Sequence, residues 1–327
     1  MKFIITGGCG FIGSHLVDLL IKDNHTVLVI DNLYSGSKKN IEAHKNYSNL
    51  YFKNICITDI ESLNKLFKGY DGIFHLAGLA DIVPSIENPQ QYYDVNVTGT
   101  LNVLQAALKN NIDKIVYAAS SSCYGLPKIF PTSEIAPAVP EYPYALTKYL
   151  GEQLVLHWEK VYKIKAISLR LFNVYGLRSR TSGAYGAVFG VFLSQKVNNK
   201  PLTVVGDGSQ TRDFTYVTDV ANAFYLAMKS KISGQVYNVG SGGHYSINYL
   251  VSLLNSEKVN IPKRPGEPDC TFADITKIKK DLLWEPKVSF EDGVNTVIKN
   301  ITYWKNTPLW DKDSIKKATK SWFEHLS

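Results

Sequence analysis

The sequence predicts an α/β protein, a doubly wound parallel sheet with a smaller, interwoven C-terminal domain. Three observations predict it. Short, nearly all-apolar runs recur through the first half of the chain, as strands buried on both faces must. Longer stretches with apolar residues at three- and four-residue spacing separate them, the period of helices lying on a sheet. After Phe172 the alternation stops, and residues 174 to 215 turn rich in Gly, Ser, Arg and Tyr.

The expected strands are KFIIT (2 to 6), TVLVID (26 to 31), GIFHLA (72 to 77), KIVYAAS (114 to 120) and AISLRLF (166 to 172). Between them, Ile12, Leu16, Leu19 and Leu20 mark one helix and Leu101, Leu104, Gln105 and Leu108 another. Strand, helix, strand order with right-handed crossovers gives a doubly wound fold. GQVYNVGS (234 to 241) reads as a further core strand. We therefore place a nucleotide-binding domain at 1–173, with 216–241 returning to it. Residues 174–215 and 242–327 are then the C-terminal, substrate-binding part. TPLWDKDSIKKATKSWFEHLS (307 to 327) reads as an amphipathic helix that packs on the body or on a partner.

The chain has 327 residues, 45% hydrophobic and 20% charged, ordinary globular proportions that exclude disordered and fibrous classes. Its 36 Lys and Arg against 29 Asp and Glu leave a charge of +7 spread along the sequence. With no recognition motif and no basic arm, nucleic acid is not an expected partner, whereas a phosphate-bearing small molecule is. Cys9, Cys56, Cys123 and Cys270 are far apart, so neither a disulfide framework nor a metal site is expected. No stretch approaches a membrane span, and MKFIITGG leaves no room for a signal peptide. A cytoplasmic protein is the expectation.

Gly7, Gly10 and Gly13 fall directly between the first strand and the first helix, as TGGCGFIGSHL. Without Cβ atoms such a turn admits a pyrophosphate close to the backbone, and the helix N-terminus behind it supplies free N–H groups. Asp31 closes the second strand, 18 residues beyond Gly13. A carboxylate there accepts from ribose hydroxyls and repels a 2′-phosphate, so NAD is preferred over NADP.

EYPYALTKYLGEQLVLHWEKVY (141 to 162) opens with Pro143, at home in a helix's first turn, and carries Leu146, Leu150, Leu154 and Val161 along one side. Tyr144 and Lys148 then share a face. A phenol ionises near 10, too high for a neutral-pH base unless positive charge favours the phenolate. Lys148, the helix N-terminus and an oxidised nicotinamide each act in that direction. Ser120, Ser121 and Ser122 end the strand KIVYAAS on the carboxyl edge, where ligands of open α/β sheets bind. A hydroxyl there can hold a reacting oxygen or relay its proton.

These residues resemble the extended short-chain dehydrogenase/reductase family, and within it the nucleotide-sugar epimerases and dehydratases typified by the UDP-glucose 4-epimerases. The resemblance runs from TGGCGFIGSHL through DNLYSG (31 to 36), HLAG (75 to 78), DVNVTGT (94 to 100), SSSCYG, PYALTK, RLFNVYG (170 to 176), GDGSQTRDFTYVTDVA (206 to 221) and NVGSG (238 to 242) to RPGEP. It implies a Rossmann fold, NAD as cofactor and a nucleotide-sugar substrate, a UDP-sugar above others. It also implies a homodimer built through two helices of the nucleotide domain. Catalysis would fall to Ser120, Tyr144 and Lys148. The cofactor would lie along Gly7, Gly10, Phe11, Ile12, Gly13, Asp31, Asn32, Ile57, Leu76, Ala77 and Asn96, with Tyr144 and Lys148 at its nicotinamide end. Ser121, Ser122, Asn173, Arg212 and Arg264 would hold the substrate, with Arg178 and Arg180 as further candidates.

The chain departs from the family's pattern in three places. Cys56 stands where relatives commonly place an Asp near the adenine. Ser121 and Ser122 replace the Asp and Glu that eliminate water in 4,6-dehydratases, and a hydroxyl of ordinary pKa cannot protonate a leaving hydroxyl as a carboxylic acid does. Cys123 falls one residue past the catalytic Cys of 3,5-epimerising relatives and is expected as a small buried residue. The expected reaction is NAD-dependent inversion at C4 of a nucleotide-linked hexose through a 4-keto intermediate. The alternatives are a 4,6-dehydratase, a decarboxylase or a 4-dehydrogenase. A non-catalytic NAD sensor is disfavoured by the presence of both Tyr144 and Lys148.

Overall fold

The computed structural model describes residues 1–179 and 188–326. Seven parallel strands form one sheet: β1 (Lys2–Thr6), β2 (Thr26–Asp31), β3 (Leu50–Asn54), β4 (Gly72–His75), β5 (Lys114–Ser120), β6 (Lys165–Leu171) and β7 (Gln235–Val239). Their spatial order is β7-β6-β5-β4-β1-β2-β3. The order reverses between β1 and β4, so their carboxyl ends splay apart and leave a crevice there. Gly7 N donates to the Ile30 carbonyl at 2.8 Å and Leu76 N to that of Thr6 at 3.0 Å, which brings three strand ends to one edge.

Helices cover both faces: α1 (Phe11–Lys22), α2 (Ile82–Glu87), α3 (Gly99–Lys109), α4 (Pro143–Tyr162) and α5 (Val217–Lys229). On one face, Phe3, Val29, Val116 and Leu169 of the strands pack with Leu16 and Leu20 of α1 and Phe224 of α5. On the other, Ile4, Leu28, Ile115 and Tyr117 pack with Val103 and Ala107 of α3 and Val155 of α4. The inner strands of the sheet are thus dry on both sides, as their apolar runs require.

The leucine rows of α3 and α4 are split between core and surface. On α4 the buried residues are Ala145, Thr147, Lys148, Gly151, Glu152 and Val155, while Leu146 and Val161 are 45% and 49% exposed. On α3 Leu104 is buried but Leu108 is exposed, and Val103, Ala106 and Ala107 face the sheet. The reason is spacing: a Cβ on Gly151 would stand 2.3 Å from the Tyr117 hydroxyl, so α4 lies too close to the sheet for leucine. Small residues mark the buried face and the larger ones are left outside.

A second core lies beyond β6. Tyr175, Phe189, Phe192, Phe214 and Phe290 gather there, with Phe214 and Phe290 stacked at 5.1 Å and Tyr245 on Phe290 at 4.3 Å. Short strand pairs frame it, Leu202–Val205 with Lys258–Ile261 and Val174–Tyr175 with Thr215–Tyr216. The expected C-terminal helix is two, α6 (Lys312–Ala318) and α7 (Lys320–His325), interrupted at Thr319. Trp322 is buried, while Phe323 is 37% exposed. The strand β3 was not among those expected. It is an edge strand with mostly exposed residues and lacks the apolar run that marks the others.

His75, at the end of β4, is fully buried. Its Nδ1 lies 2.7 Å from Thr6 Oγ1 and its Nε2 2.9 Å from Thr100 Oγ1. Thr100 gives its own proton to the Asn96 carbonyl at 2.6 Å, so Nε2 carries the ring proton and Nδ1 accepts from Thr6. Burial, aided by the Lys148 charge, pushes the ring's pKa down to about 3. Between pH 6.5 and 3 the unfolded chain therefore binds a proton that the native one refuses, and stability falls as pH falls, by up to about 1.4 kcal/mol per unit from this group. Denaturant unfolding of the native protein and His75→Asn at pH 7 and pH 5 should give a shallower loss in the variant. Parallel losses would contradict the assignment.

Candidate active site

The crevice opens into a cavity of about 660 Å³ that crosses from the glycine turn to the second core, a size ordinary for cofactor and substrate sites. Every site residue expected from the sequence lines it except Asn96, Lys148, Arg178 and Arg180. Arg180 lies outside the described residues. Arg178 is turned away onto Asp18 of α1 at 2.9 Å. Asn96 and Lys148 stand one layer behind the wall. The Asn96 amide is spent on the Leu79 backbone at 2.8 and 3.1 Å and on Thr147 Oγ1 at 3.0 Å.

At one end of the cavity, Gly7 has φ +74°, and a Cβ there would meet Ala77 N at 2.7 Å. A Cβ on Gly13 would stand 2.2 Å from the Gly7 carbonyl oxygen. The turn is folded so tightly on itself that only glycine fits, with the N-terminus of α1 directly behind it. Asp31, 8% exposed, accepts from Cys9 N at 2.9 Å and Leu33 N at 2.8 Å. Burial raises its pKa against those two bonds. Phe11, Ile12, Asn32, Ile57, Leu76 and Ala77 complete this end. A cradle without side chains, a helix N-terminus and a fixed carboxylate fit a dinucleotide with free ribose hydroxyls. Cys56 lines the wall here and takes a bond from Thr58 Oγ1 at 3.1 Å.

In the middle, Ser120 ends β5 and Tyr144 is the second residue of α4, packed nearly parallel to Tyr142 at 6.3 Å. Ser122 donates to Ser120 Oγ from its backbone at 3.2 Å and its hydroxyl at 2.8 Å. Ser120, Ser122 and Tyr144 line the cavity together. Burial raises the Tyr144 pKa, with Asp81 and Cys123 adding to the rise, and the two serines oppose it. Lys148, one turn along α4, is 7% exposed. Its ammonium lies 4.3 Å from the centre of the Tyr117 ring, and burial pushes its pKa down to about 7 against the pull of Glu152. In the protein by itself, desolvation dominates at Tyr144 and raises its pKa. Cys123 is buried as expected, its thiol pushed up to about 12.

A buried ion pair beneath this floor was not anticipated. Arg170 Nη2 and Nε donate to the two Glu152 oxygens at 2.6 and 3.0 Å, and Ser168 Oγ donates to Glu152 at 2.9 Å. Arg170 Nη1 donates to the Tyr124 hydroxyl at 2.9 Å, which donates in turn to Asn238 Oδ1 at 2.7 Å. One network therefore ties α4 and β6 to β7 and to the loop that carries the serines. Glu152 follows Lys148 by one turn, a spacing visible in the sequence. Its partner lies in another element.

At the far end, Arg212 and Arg264 are 7% and 6% exposed. Glu267, also missed, lies between them, 3.0 Å from Arg212 Nη2 and 3.5 Å from Arg264 Nη1. Arg212 is placed by its neighbour Asp213, which accepts from Ser241 N at 2.5 Å and Ala273 N at 3.0 Å. Asn173 shares this end and accepts from Thr271 Oγ1 at 2.7 Å.

The chain is similar to known proteins over nearly its whole length. The chain is 33% identical over 315 residues to a UDP-glucose 4-epimerase of Mycolicibacterium smegmatis, covering 94% of this chain and 99% of the relative. It is 34% identical to a UDP-N-acetyl-alpha-D-glucosaminuronate decarboxylase of Bacillus cytotoxicus, covering 91% and 96%. The crystal structure of a UDP-glucuronic acid 4-epimerase from Bacillus cereus, solved with UDP-glucuronic acid and NAD, superposes with a TM-score of 0.87 at 34% identity, over 93% of this chain and 99% of that one. Residues 3–240, which hold the glycine turn, the serine loop and the Tyr144/Lys148 pair, match the family model directly, and the chain belongs to the NAD dependent epimerase/dehydratase family.

Proposed function

We propose that this protein is an epimerase that inverts C4 of a nucleotide-linked hexose, of the UDP-glucose/galactose type, through a 4-keto intermediate. The observation that carries the reading is Tyr144, lining one cavity with Ser120 and Ser122, between a dinucleotide cradle at one end and two arginines at the other. The relatives named as 4-epimerases of UDP-sugars support the substrate class. Gly7, Gly10, Gly13 and Asp31 would hold NAD, which accepts and returns the C4 hydride.

Tyr144 removes the proton of the C4 hydroxyl and later returns it. Ser120 and Ser122, in the same stretch of cavity wall, act to favour the ionised phenol. Lys148 contributes positive charge beside the site and holds the nicotinamide ribose. Arg212, Arg264 and Asn173 grip the pyrophosphate end, for which forked guanidinium groups are suited. Anchoring at that end leaves the sugar free to turn its other face. The seven-stranded unit (1–173 with 216–241) then serves the cofactor and the remainder the substrate.

We further propose a cytoplasmic homodimer formed through two helices of the nucleotide domain, α3 and α4, which leave Leu108, Leu146 and Val161 exposed. Among the described residues no helix is long and apolar enough to cross a membrane. A monomer mass in sedimentation equilibrium would remove the dimer.

The test of function is to incubate the protein with UDP-glucose, UDP-N-acetylglucosamine and UDP-glucuronate and follow the anomeric NMR signals. The C4 epimer of at least one should appear. Epimer from none of them would overturn the reading. A stable 4-keto sugar, or release of carbon dioxide from UDP-glucuronate, would select the dehydratase, dehydrogenase or decarboxylase alternatives instead.

A further inference from the structure

The C-terminal segment is not a loose tail. Ser194 Oγ donates to the Pro308 carbonyl at 3.2 Å and Gln195 Nε2 to that of Trp310 at 2.7 Å. Ile315 of α6 is buried against Val205 and Ile261. These anchors deliver α7 to the mouth of the cavity, between the RPGEP loop and α2. There Trp322, 3% exposed, lines the cavity wall. Its indole Nε1 donates to the Pro265 carbonyl at 2.7 Å, and its ring lies 5.2 Å from the Arg264 guanidinium carbon. The adjacent Ser321 Oγ donates to Glu87 at the end of α2 at 2.9 Å, and the first residues of α2 line the same cavity.

We infer that Trp322 is a positioning residue for substrate binding: through Arg264 and the Pro265 backbone it holds the phosphate-gripping loop in place, and α7 bridges that loop to α2 across the cavity mouth. The inference rests on the reading of Arg212 and Arg264 as the diphosphate grip. Among the contacts of Arg264 are the Glu267 carboxylate at 3.5 Å and the Trp322 ring at 5.2 Å. An indole face attracts a guanidinium without neutralising it, so the charge stays available to a diphosphate. The indole bond to the Pro265 carbonyl fixes the backbone from which Arg264 projects. Without both, the guanidinium can shift closer to Glu267 and the loop loses an anchor.

The experiment measures calorimetric affinity for UDP, and KM and kcat for the substrate, on NAD-loaded protein. Trp322→Leu keeps most of the buried volume but removes the π face and the N–H. It should weaken UDP about tenfold and raise KM to match, with kcat within about twofold of native by the logic of uniform binding. Trp322→Phe, which keeps a ring, should recover part of the loss. In an Arg264→Ala background Trp322→Leu should cost almost nothing more, because the two changes remove one interaction. A merely structural role would give additive losses in that cycle and overturn the inference. So would native UDP affinity in Trp322→Leu while Arg264→Ala is weakened. If Arg264→Ala itself binds UDP as the native chain does, the diphosphate reading fails and this inference with it.

Discussion

Tyr144→Phe should lower kcat by about 10² to 10⁴-fold, the usual contribution of a positioned acid–base group, while the protein still binds NAD. The phenyl ring keeps its packing on Tyr142, and Ser120 and Ser122 keep their mutual bonds. Stability should therefore change by no more than about 1 kcal/mol, the net worth of an ordinary hydrogen bond. Steady-state kinetics with the substrate identified by NMR, alongside the cofactor content of the purified variant, checks both halves. Activity within tenfold of native would mean that another group moves the proton. Loss of NAD together with loss of activity would mean that the hydroxyl is needed for the cofactor rather than for proton transfer.

Glu152→Gln should be the most destabilising conservative change at the site. It leaves the Arg170 guanidinium, 5% exposed, without its counter-charge, and breaking one side of a buried pair costs about 3–5 kcal/mol. A second effect follows through Lys148. Burial holds that ammonium down to about 7 and Glu152 is the charge that pulls it up. Removing the carboxylate lowers it further, so a smaller fraction of Lys148 is charged at neutral pH. If the phenolate needs that charge, the alkaline limb of the kcat–pH profile moves to lower pH, as an apparent value shared by the coupled Tyr144/Lys148 pair. Urea unfolding reads the first effect and the pH profile the second. A stability loss with an unmoved profile would make Glu152 a purely structural residue.

How much of this was legible in the sequence varies by element. The strands β1, β2 and β5 and the glycine turn are legible because burial on both faces leaves nothing but apolar residues, and because the Gly7–Gly13 approach admits no Cβ. At α3 and α4 the leucine spacing marks the helix but not which face is buried. Hydrophobic periodicity assumes that the largest apolar residues turn inward, and a helix lying as close to the sheet as Gly151 does to Tyr117 reverses that rule. The middle of the cavity was legible from Tyr144 and the serine run, with Lys148 behind them, since helix spacing and the strand end bring them together. Glu152 shares their helix, but it acquires meaning only beside Arg170 on β6. Glu267 lies within RPGEP, yet its partner Arg212 comes from another strand. Trp322 reaches the site only because α6 and α7 break at Thr319, and periodicity ran straight through that break. What the sequence hid is tertiary: charges and rings brought together across elements.

The account depends on the Tyr144 phenol losing its proton near neutral pH, although burial alone pushes it up. The most direct measurement is the ultraviolet difference titration of tyrosinate in NAD-loaded native protein against NAD-loaded Tyr144→Phe. The account predicts one tyrosine, present only in the native protein, that ionises well below the ordinary value of about 10 and rises again when NAD is removed. A Tyr144 that ionises above 10 with NAD bound would contradict it.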